Sequence, residues 1–313
     1  SEFVTSKKSY KIKQIEIDFE TENEINDLIQ KELNYNFILS NKKEPLLRFT
    51  ILETPTYYYL IIVAHHIIAD GNSIDILLDN IFNSVDGLDK TQDYFKFLST
   101  YKEDLPEDIS YWEDKLNSVQ PIPLFDKVDE KFEYLGKTEN LSLDSQFLKR
   151  IEKLSVEYKV SKYNILLSLY SQFLMLYFNR NYIFVGTPVS TRTDEYNATF
   201  GMFLSFLPII SSRNSKKTFL ENLLMDRLEV LETINHSSVS FSSLSQLINT
   251  KVSLSSIVQA VFNYQEGGVE VDVLDKDVVT KYKDYIQFPL TFTVYNIPSQ
   301  PFRKTNGNYT FVF

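Results

Sequence analysis

The chain contains no cysteine among its 313 residues. Disulfide bridges, a catalytic thiolate and thiolate metal ligands are therefore excluded. The first residues also lack the basic and apolar leader that directs secretion. Both absences favour a protein that works in a reducing compartment, and we expect a cytoplasmic location.

An excess of basic side chains and a long apolar run are also missing. The 32 Lys and Arg residues are outnumbered by 42 Asp and Glu residues, which gives a net charge of −10. Nucleic-acid binding needs clustered positive charge, so we expect no nucleic-acid partner. The most apolar stretch, residues 163–178, is interrupted by Asn164, Ser168, Ser171 and Gln172. We therefore expect no membrane span.

Histidine is scarce as well, with three residues in the whole chain. Two of them, His65 and His66, are neighbours. They follow residues 57–64, whose aromatic and β-branched side chains predict a largely buried strand. Asn72 and Ser73 then offer N-caps for an amphipathic helix. The sequence thus predicts a histidine pair at the end of a strand, just before a helix.

This histidine pair is a candidate for acid–base chemistry. Histidine is the side chain best suited to accept a proton near neutral pH, provided that its ring is held in one tautomer. His66 is the candidate general base, Asp70 is placed to balance local charge, and Gly71 leaves room for a substrate. An adjacent pair is also typical of a packing or surface role. Because neighbours on a strand point to opposite faces, His65 and His66 are not expected to share a metal ion, and no metal site is predicted.

The remaining pattern predicts a mixed α/β (α+β) protein with two lobes. Residues 120–129, which include Pro121 and Pro123, predict a linker. This linker places one lobe at residues 1–120 and the second at residues 121–313. A length of 313 residues gives each lobe enough chain to bury a core.

Local patterns predict individual elements within both lobes. Thr21–Glu24 is a capping-box pattern that opens a helix, and residues 45–52 predict a strand that forms a hairpin with residues 57–64. Trp112 is expected to be a packed anchor under the linker. Strands are further predicted at residues 10–19, 141–143, 182–188, 201–209, 257–265, 288–295 and 309–313, and helices after Ser145, Ser161 and Thr218.

Five motifs carry a resemblance to a known family. Residues 65–71, His-His-Ile-Ile-Ala-Asp-Gly, match the HHxxxDG signature of the chloramphenicol acetyltransferase-like acyltransferases. The other four follow in the family's order: Tyr111-Trp112 (YW), residues 186–192 (GxPxSxR), residues 201–208 (GxFxNTLP), and His236 with Phe241 (HxxxPF). On these motifs the chain resembles the condensation domains of nonribosomal peptide synthetases.

The resemblance implies a fold of two chloramphenicol acetyltransferase-like lobes in a V-shaped pseudo-dimer, with the active site in a tunnel between them. We expect the first lobe to be incomplete, because the family's upstream strand and helix have no counterpart before Tyr10. The family's final helices are likewise not matched before Phe313.

The resemblance also implies an acyltransferase of secondary metabolite biosynthesis that forms amide bonds. Donor and acceptor peptidyl carrier proteins would each present an acyl group on a phosphopantetheine arm, so no cofactor is expected to bind directly. An adjacent adenylation domain is expected. His66 would accept a proton from the acceptor amine, or position that amine, as it attacks the donor thioester.

The family assigns supporting roles to further residues. His65 is expected to pack, Gly71 to leave space, and Asp70 to form a structural salt bridge with Arg192. Ser190 and Ser205 are candidate channel or oxyanion contacts, although Ser205 stands where the family has asparagine.

Three other functions fit the same motifs. The chain can be a catalytically silent carrier-protein docking domain, an epimerisation domain, or a related acyltransferase that forms esters. Heterocyclisation domains are disfavoured, because they carry aspartates where this chain has His65 and His66.

Overall fold

The computed structural model describes residues 12–18, 21–41, 44–82, 92–119, 122–125, 139–248, 254–266, 288–296 and 310–312. The strands of these ranges are β1 (Lys13–Glu16), β2 (Leu47–Glu53), β3 (Tyr58–Ala64), β4 (Asn140–Ser142), β5 (Tyr182–Ser190), β6 (Leu204–Ser212), β7 (Ala260–Glu266), β8 (Leu290–Asn296) and β9 (Thr310–Val312). The helices are α1 (Glu22–Leu33), α2 (Gly71–Phe82), α3 (Tyr94–Thr100), α4 (Pro106–Ser118), α5 (Ser145–Tyr158), α6 (Lys162–Tyr177), α7 (Phe219–Asn235), α8 (Phe241–Leu247) and α9 (Leu254–Ile257). None of these helices combines the length and the apolar character needed to cross a bilayer.

A three-stranded sheet in the order β1-β2-β3 carries the histidine pair at one end. β1 runs parallel to β2, and β2 pairs with β3 in the predicted antiparallel hairpin. The turn of that hairpin is closed by Thr54 and Tyr57, whose backbone groups bond at 2.9 Å. Aromatic and β-branched content indicated the β3 strand correctly, but the expectation that it is largely buried is wrong. Tyr58 and Leu60 are exposed and Ile61 is the one buried residue of β3, which lies at the edge of its sheet.

Helix α1 is tied to this sheet by a buried carboxylate. Glu32 accepts hydrogen bonds from Thr50 at 3.1 Å and Arg48 at 3.5 Å, and it also pairs with Lys13. The predicted capping box at the start of α1 is wrong. The Thr21 hydroxyl bonds the Glu24 side chain and leaves the helix backbone uncapped.

A six-stranded mixed sheet forms the second half of the structure, in the order β4-β9-β8-β7-β5-β6. Its longest ladder joins β5 and β6 in antiparallel register, from Tyr182 opposite Ser212 to Ser190 opposite Leu204. Two predicted boundaries change. β5 continues through Ser190, and β6 begins at Leu204, because residues 201–203 leave the sheet to make the contacts of the histidine site.

The main core lies between this sheet and helices α5, α6 and α7. The predicted capping box of Thr218 and Glu221 is present at the start of α7. Within the core, Asp226 of α7 accepts hydrogen bonds from Ser168 of α6 at 2.5 Å and Ser211 of β6 at 2.6 Å. Burial raises the pKa of Asp226, and the two serine bonds offset that effect only in part.

Helices α3 and α4 pack against elements of the second half. Trp112 is fully buried, as its predicted anchoring role requires, and it lies in one apolar cluster with Leu207 and Val258. Phe97 of α3 packs with Tyr196.

The predicted linker at residues 120–129 lies largely outside the described residues, and the lobe boundary at residue 120 stays a prediction.

Candidate functional site

His65 is bound into the end of strand β3. Its backbone N–H donates to the Leu46 carbonyl at 2.8 Å, which extends the hairpin by one residue. Its ring Nδ1 accepts from the Ile67 N–H at 3.1 Å, and the ring stands edge-on to Phe37 with centroids 5.8 Å apart. His65 is half-buried and its ring is occupied by these neighbours.

His66 differs from its neighbour because its side chain is exposed. Its Nδ1 lies 2.8 Å from the Ala69 carbonyl oxygen. A carbonyl oxygen can only accept, so Nδ1 donates in this bond, and in the neutral ring the lone pair is then on Nε2. The neutral imidazole is thus exposed with its unprotonated nitrogen at Nε2.

Asp70 is the N-cap of helix α2. Its carboxylate accepts from the Ser73 N–H at 2.8 Å, which is the bond that defines an N-cap. The prediction that Asn72 or Ser73 caps this helix is wrong, because α2 begins at Gly71 and both residues lie within its first turn. The motif aspartate thus ends the histidine loop and starts the helix.

The same carboxylate pairs with Arg192, which lies 122 positions further along the chain. Arg192 Nη2 is 3.0 Å from Asp70 Oδ1 and 3.1 Å from Oδ2, and the two side chains are only 4% and 3% exposed. Arg192 Nη1 donates to the carbonyls of Tyr196 and Thr199, at 2.8 and 2.5 Å. The guanidinium also covers the Phe203 ring, 3.9 Å from its centroid. The ion pair joins the histidine loop to residues 192–203.

Ser73 is a residue of this site that the sequence motifs did not indicate. Its side chain is fully buried, and Oγ contacts Asp70 Oδ1 at 2.7 Å and the Gly201 carbonyl at 2.5 Å. The Gly201 N–H and Arg192 Nη2 donate to the same oxygen, at 3.0 and 3.2 Å. A buried hydroxyl with partners this far apart in sequence cannot be recognised from the local pattern, which suggested only a helix cap.

Residues 199–203 are held from the other side by α3 and the residues before it. The Tyr94 hydroxyl donates to the Met202 carbonyl at 2.6 Å, and the Phe203 N–H donates to Asp70 Oδ2 at 3.1 Å. A Cβ on Gly201 would lie 2.3 Å from the Tyr94 ring, so this close approach requires glycine. The segment is thus enclosed between α3 and the Asp70 carboxylate.

Gly71 faces open space at the start of α2. Apart from its chain neighbours and the backbone of its own helix, a Cβ built on it would meet no atom of the described residues within 4 Å. The N–H groups of Gly71 and Asn72 precede the first intrahelical bonds, so the helix leaves them without an intrahelical acceptor. Packing against the described residues therefore does not explain a glycine here.

Ser190 and Ser205, the predicted channel contacts, lie on the paired strands β5 and β6. Ser190 is exposed and its Oγ accepts from the Arg192 N–H at 3.2 Å. Ser205 is half-buried and opposite Val189 in the ladder. Neither serine bonds to His66 in the part of the chain that the structure describes, and their roles stay predictions.

His236, the third histidine, belongs to a separate cluster at the end of α7. Its Nδ1 is 2.8 Å from Asp108 Oδ1, its ring stacks on Tyr111 at 3.8 Å, and its carbonyl accepts from Trp112 Nε1. Burial alone would raise the pKa of Asp108, but hydrogen bonds from Ser238 and His236 outweigh it and hold the pKa below its ordinary value of 3.8. This cluster joins α4 to the loop after α7.

Among the described residues, no three or more His, Cys, Asp or Glu side chains are grouped so that they could hold a metal ion.

Comparison with known proteins identifies the family. The model of the condensation domain matches residues 2–302. The chain belongs to the condensation domain family. Among curated relatives, Bacitracin synthase 1 from Bacillus licheniformis is 26% identical over 258 residues, which are 77% of this chain and 5% of that protein. Tyrocidine synthase 2 from Brevibacillus parabrevis is 25% identical over 269 residues, or 79% of this chain and 8% of that protein.

Solved structures with the same fold confirm the α/β architecture of this condensation domain. The condensation domain of the Monacolin K polyketide synthase MokA gives a TM-score of 0.73 at 16% identity, covering 97% of this chain and 73% of that one. A four-domain nonribosomal peptide synthetase gives 0.78 at 17% identity, covering 98% of this chain and 25% of that one. The epimerization domain of tyrocidine synthetase B gives 0.72 at 15% identity, covering 97% and 73%.

The lowered pKa of Asp108 predicts an acid-sensitive contribution to stability. A carboxyl whose pKa is depressed on folding stabilises the fold above its unfolded value of 3.8, and that stabilisation is lost as pH falls through the folded value. Relative to Asp108→Asn, wild type should therefore lose stability more steeply below about pH 4. Urea unfolding at a series of pH values measures the difference.

Asp226→Asn is the matched control, because burial shifts the pKa of Asp226 upwards. Wild type relative to this variant should lose stability as pH rises above 3.8, the opposite direction. Stability curves for Asp108→Asn and wild type that run parallel through the acid range would contradict the assignment.

Proposed function

We propose that this condensation domain catalyses amide-bond formation between two carrier-bound acyl groups. An aminoacyl group on the acceptor carrier protein supplies the amine, and a thioester on the donor carrier protein supplies the acyl group, each on a phosphopantetheine arm. The observation that carries the proposal is the bond from His66 Nδ1 to the Ala69 carbonyl, which leaves Nε2 as an exposed proton acceptor.

In this mechanism the amine nitrogen bonds to the thioester carbonyl carbon while His66 Nε2 accepts the proton that the nitrogen loses. The tetrahedral intermediate then breaks its C–S bond. The donor arm leaves as a thiolate and receives the proton back from the imidazolium, so His66 ends the cycle neutral. His65, whose ring is occupied by Ile67 and Phe37, takes no part in the transfer.

The negative oxygen of the intermediate requires hydrogen-bond donors. The N–H groups of Gly71 and Asn72 lie at the positive end of α2 and lack intrahelical acceptors, so we assign them to this oxygen. Ser190 and Ser205 are retained as channel contacts. The absence of a Cβ on Gly71 lets the acyl group come close to these amides.

The setting of the domain is part of the proposal. The chain spans 5% and 8% of the two synthases named above, and 25% of a four-domain nonribosomal peptide synthetase with the same fold. We therefore propose that an adenylation domain lies beside it in a larger cytoplasmic enzyme, with donor and acceptor carrier proteins as partners.

The fold alone is also compatible with two other functions, a catalytically silent docking domain and an epimerisation domain. The X-domain of teicoplanin biosynthesis, solved in complex with OxyB, gives a TM-score of 0.75, and the epimerization domain gives 0.72. These values lie on either side of that of a condensation domain, at 0.73. A silent docking domain has no need of an exposed histidine in one tautomer, so the geometry of His66 favours transfer.

His66→Ala should lower the transfer rate by about 10²- to 10⁴-fold, the usual contribution of a general base. The assay loads donor and acceptor carrier proteins and follows the amide product by mass spectrometry. His65→Ala is the matched control, and it should affect thermal stability more than transfer, because its ring packs against Phe37.

Equal transfer by wild type and His66→Ala would reject the catalytic role and favour a docking domain. Exchange at the α-carbon of one loaded carrier, with no acceptor present, would instead identify epimerisation.

Gly71→Ala tests whether the open space at α2 belongs to the substrate. None of the residues that the structure describes crowds the new methyl group, and alanine reduces the entropy of the unfolded chain, so stability should be unchanged or raised by up to about 1 kcal/mol. Transfer should fall by roughly tenfold or more, because the methyl displaces the reacting group. Wild-type transfer by a stable Gly71→Ala variant would show that the substrate does not use this space.

A further inference from the structure

One peptide group connects His66 to the second half of the chain. The carbonyl of the Ala69–Asp70 peptide accepts from His66 Nδ1 at 2.8 Å, and the N–H of the same peptide donates to the Gly201 carbonyl at 3.4 Å. A peptide group is planar and trans, so its N–H and C=O point in opposite directions. Holding the N–H against Gly201 therefore aims the carbonyl at His66.

Gly201 is in turn held by Ser73. The Ser73 hydroxyl contacts the Gly201 carbonyl at 2.5 Å and accepts from the Gly201 N–H at 3.0 Å. Both polar groups of one glycine thus converge on one fully buried oxygen. The Gly201 carbonyl that receives the Asp70 N–H keeps its direction because of this hydroxyl.

We propose that Ser73 is a positioning residue that sets the tautomer of His66 through Gly201 and the Ala69–Asp70 peptide. Without the hydroxyl, the Gly201 N–H is left buried and unpaired, and the Gly201 carbonyl loses the shorter of the two contacts that fix its direction. The Ala69 carbonyl then no longer selects the Nδ1–H form. The importance of this tautomer for catalysis rests on the proposed function, but the tautomer itself does not.

The scarcity of histidine makes the proposal directly measurable. The full chain with ¹⁵N-labelled imidazoles contains only three rings, His65, His66 and His236. Long-range ¹H–¹⁵N correlation spectra above about pH 8, where an ordinary histidine is neutral, distinguish a ring nitrogen that carries hydrogen from one that does not. His66→Gln assigns the His66 signals by their loss.

Wild type should show His66 with hydrogen on Nδ1 and a bare Nε2. Ser73→Ala should lose this single pattern and show averaged shifts at both ring nitrogens, while His236, bonded to Asp108, stays unchanged. Ser73→Thr keeps the hydroxyl and should restore the wild-type pattern.

Ser171→Ala is the matched control. Ser171 is also fully buried, and its Oγ makes no hydrogen bond within the described part of the chain. Loss of its hydroxyl should leave the His66 pattern intact. If Ser73→Ala does not fold, Ser73→Cys takes its place, because a thiol nearly preserves the volume but weakens each hydrogen bond.

The proposal is overturned if His66 keeps hydrogen on Nδ1 alone in a folded Ser73→Ala or Ser73→Cys variant, or if wild type already mixes both tautomers. A single wild-type tautomer that is lost in the Ser73 variant supports it. If that result comes together with full transfer by His66→Ala, the positioning role stands while the proposed function fails.

Discussion

The buried ion pair between Asp70 and Arg192 is the interaction on which the site depends. Two charges with almost no solvent contact are tolerated only when they are paired and hydrogen-bonded, and removal of one partner typically costs about 3–5 kcal/mol. The Asp70 carboxylate also caps α2 and accepts from the Phe203 N–H. Displacing Arg192 would therefore disturb the start of α2, the segment at residues 201–203 and the position of His66 together.

Local patterns predicted several elements but not every helix start. The hairpin of β2 and β3, the apolar helix α6 and the capping box of Thr218 are present as expected, whereas the predicted caps of α1 and α2 are wrong. The local pattern around Ser73 indicated only a helix cap. Its contact with Gly201 joins residues 128 positions apart and cannot be read from that pattern. Residues 201–203 looked like a strand because they are apolar. Their tertiary contacts with Asp70 and Tyr94 remove them from the sheet.

Structures called condensation, epimerization and X-domains match the chain with TM-scores of 0.73, 0.72 and 0.75, so the fold alone does not distinguish between them. The proposed transfer rests instead on local features: the exposed His66 imidazole, the open space at Gly71 and the amides at the start of α2. These features are small, and all of them depend on the loop that Asp70 terminates.

The most direct test of this account is a double-mutant cycle on the free energy of unfolding, with Asp70→Ala, Arg192→Ala and both together. Each single variant should lose about 3–5 kcal/mol, because each leaves a buried charge unpaired. The double variant should lose clearly less than the sum, by roughly 2 kcal/mol or more. Strict additivity of the two losses would contradict the claim that this ion pair holds the site together.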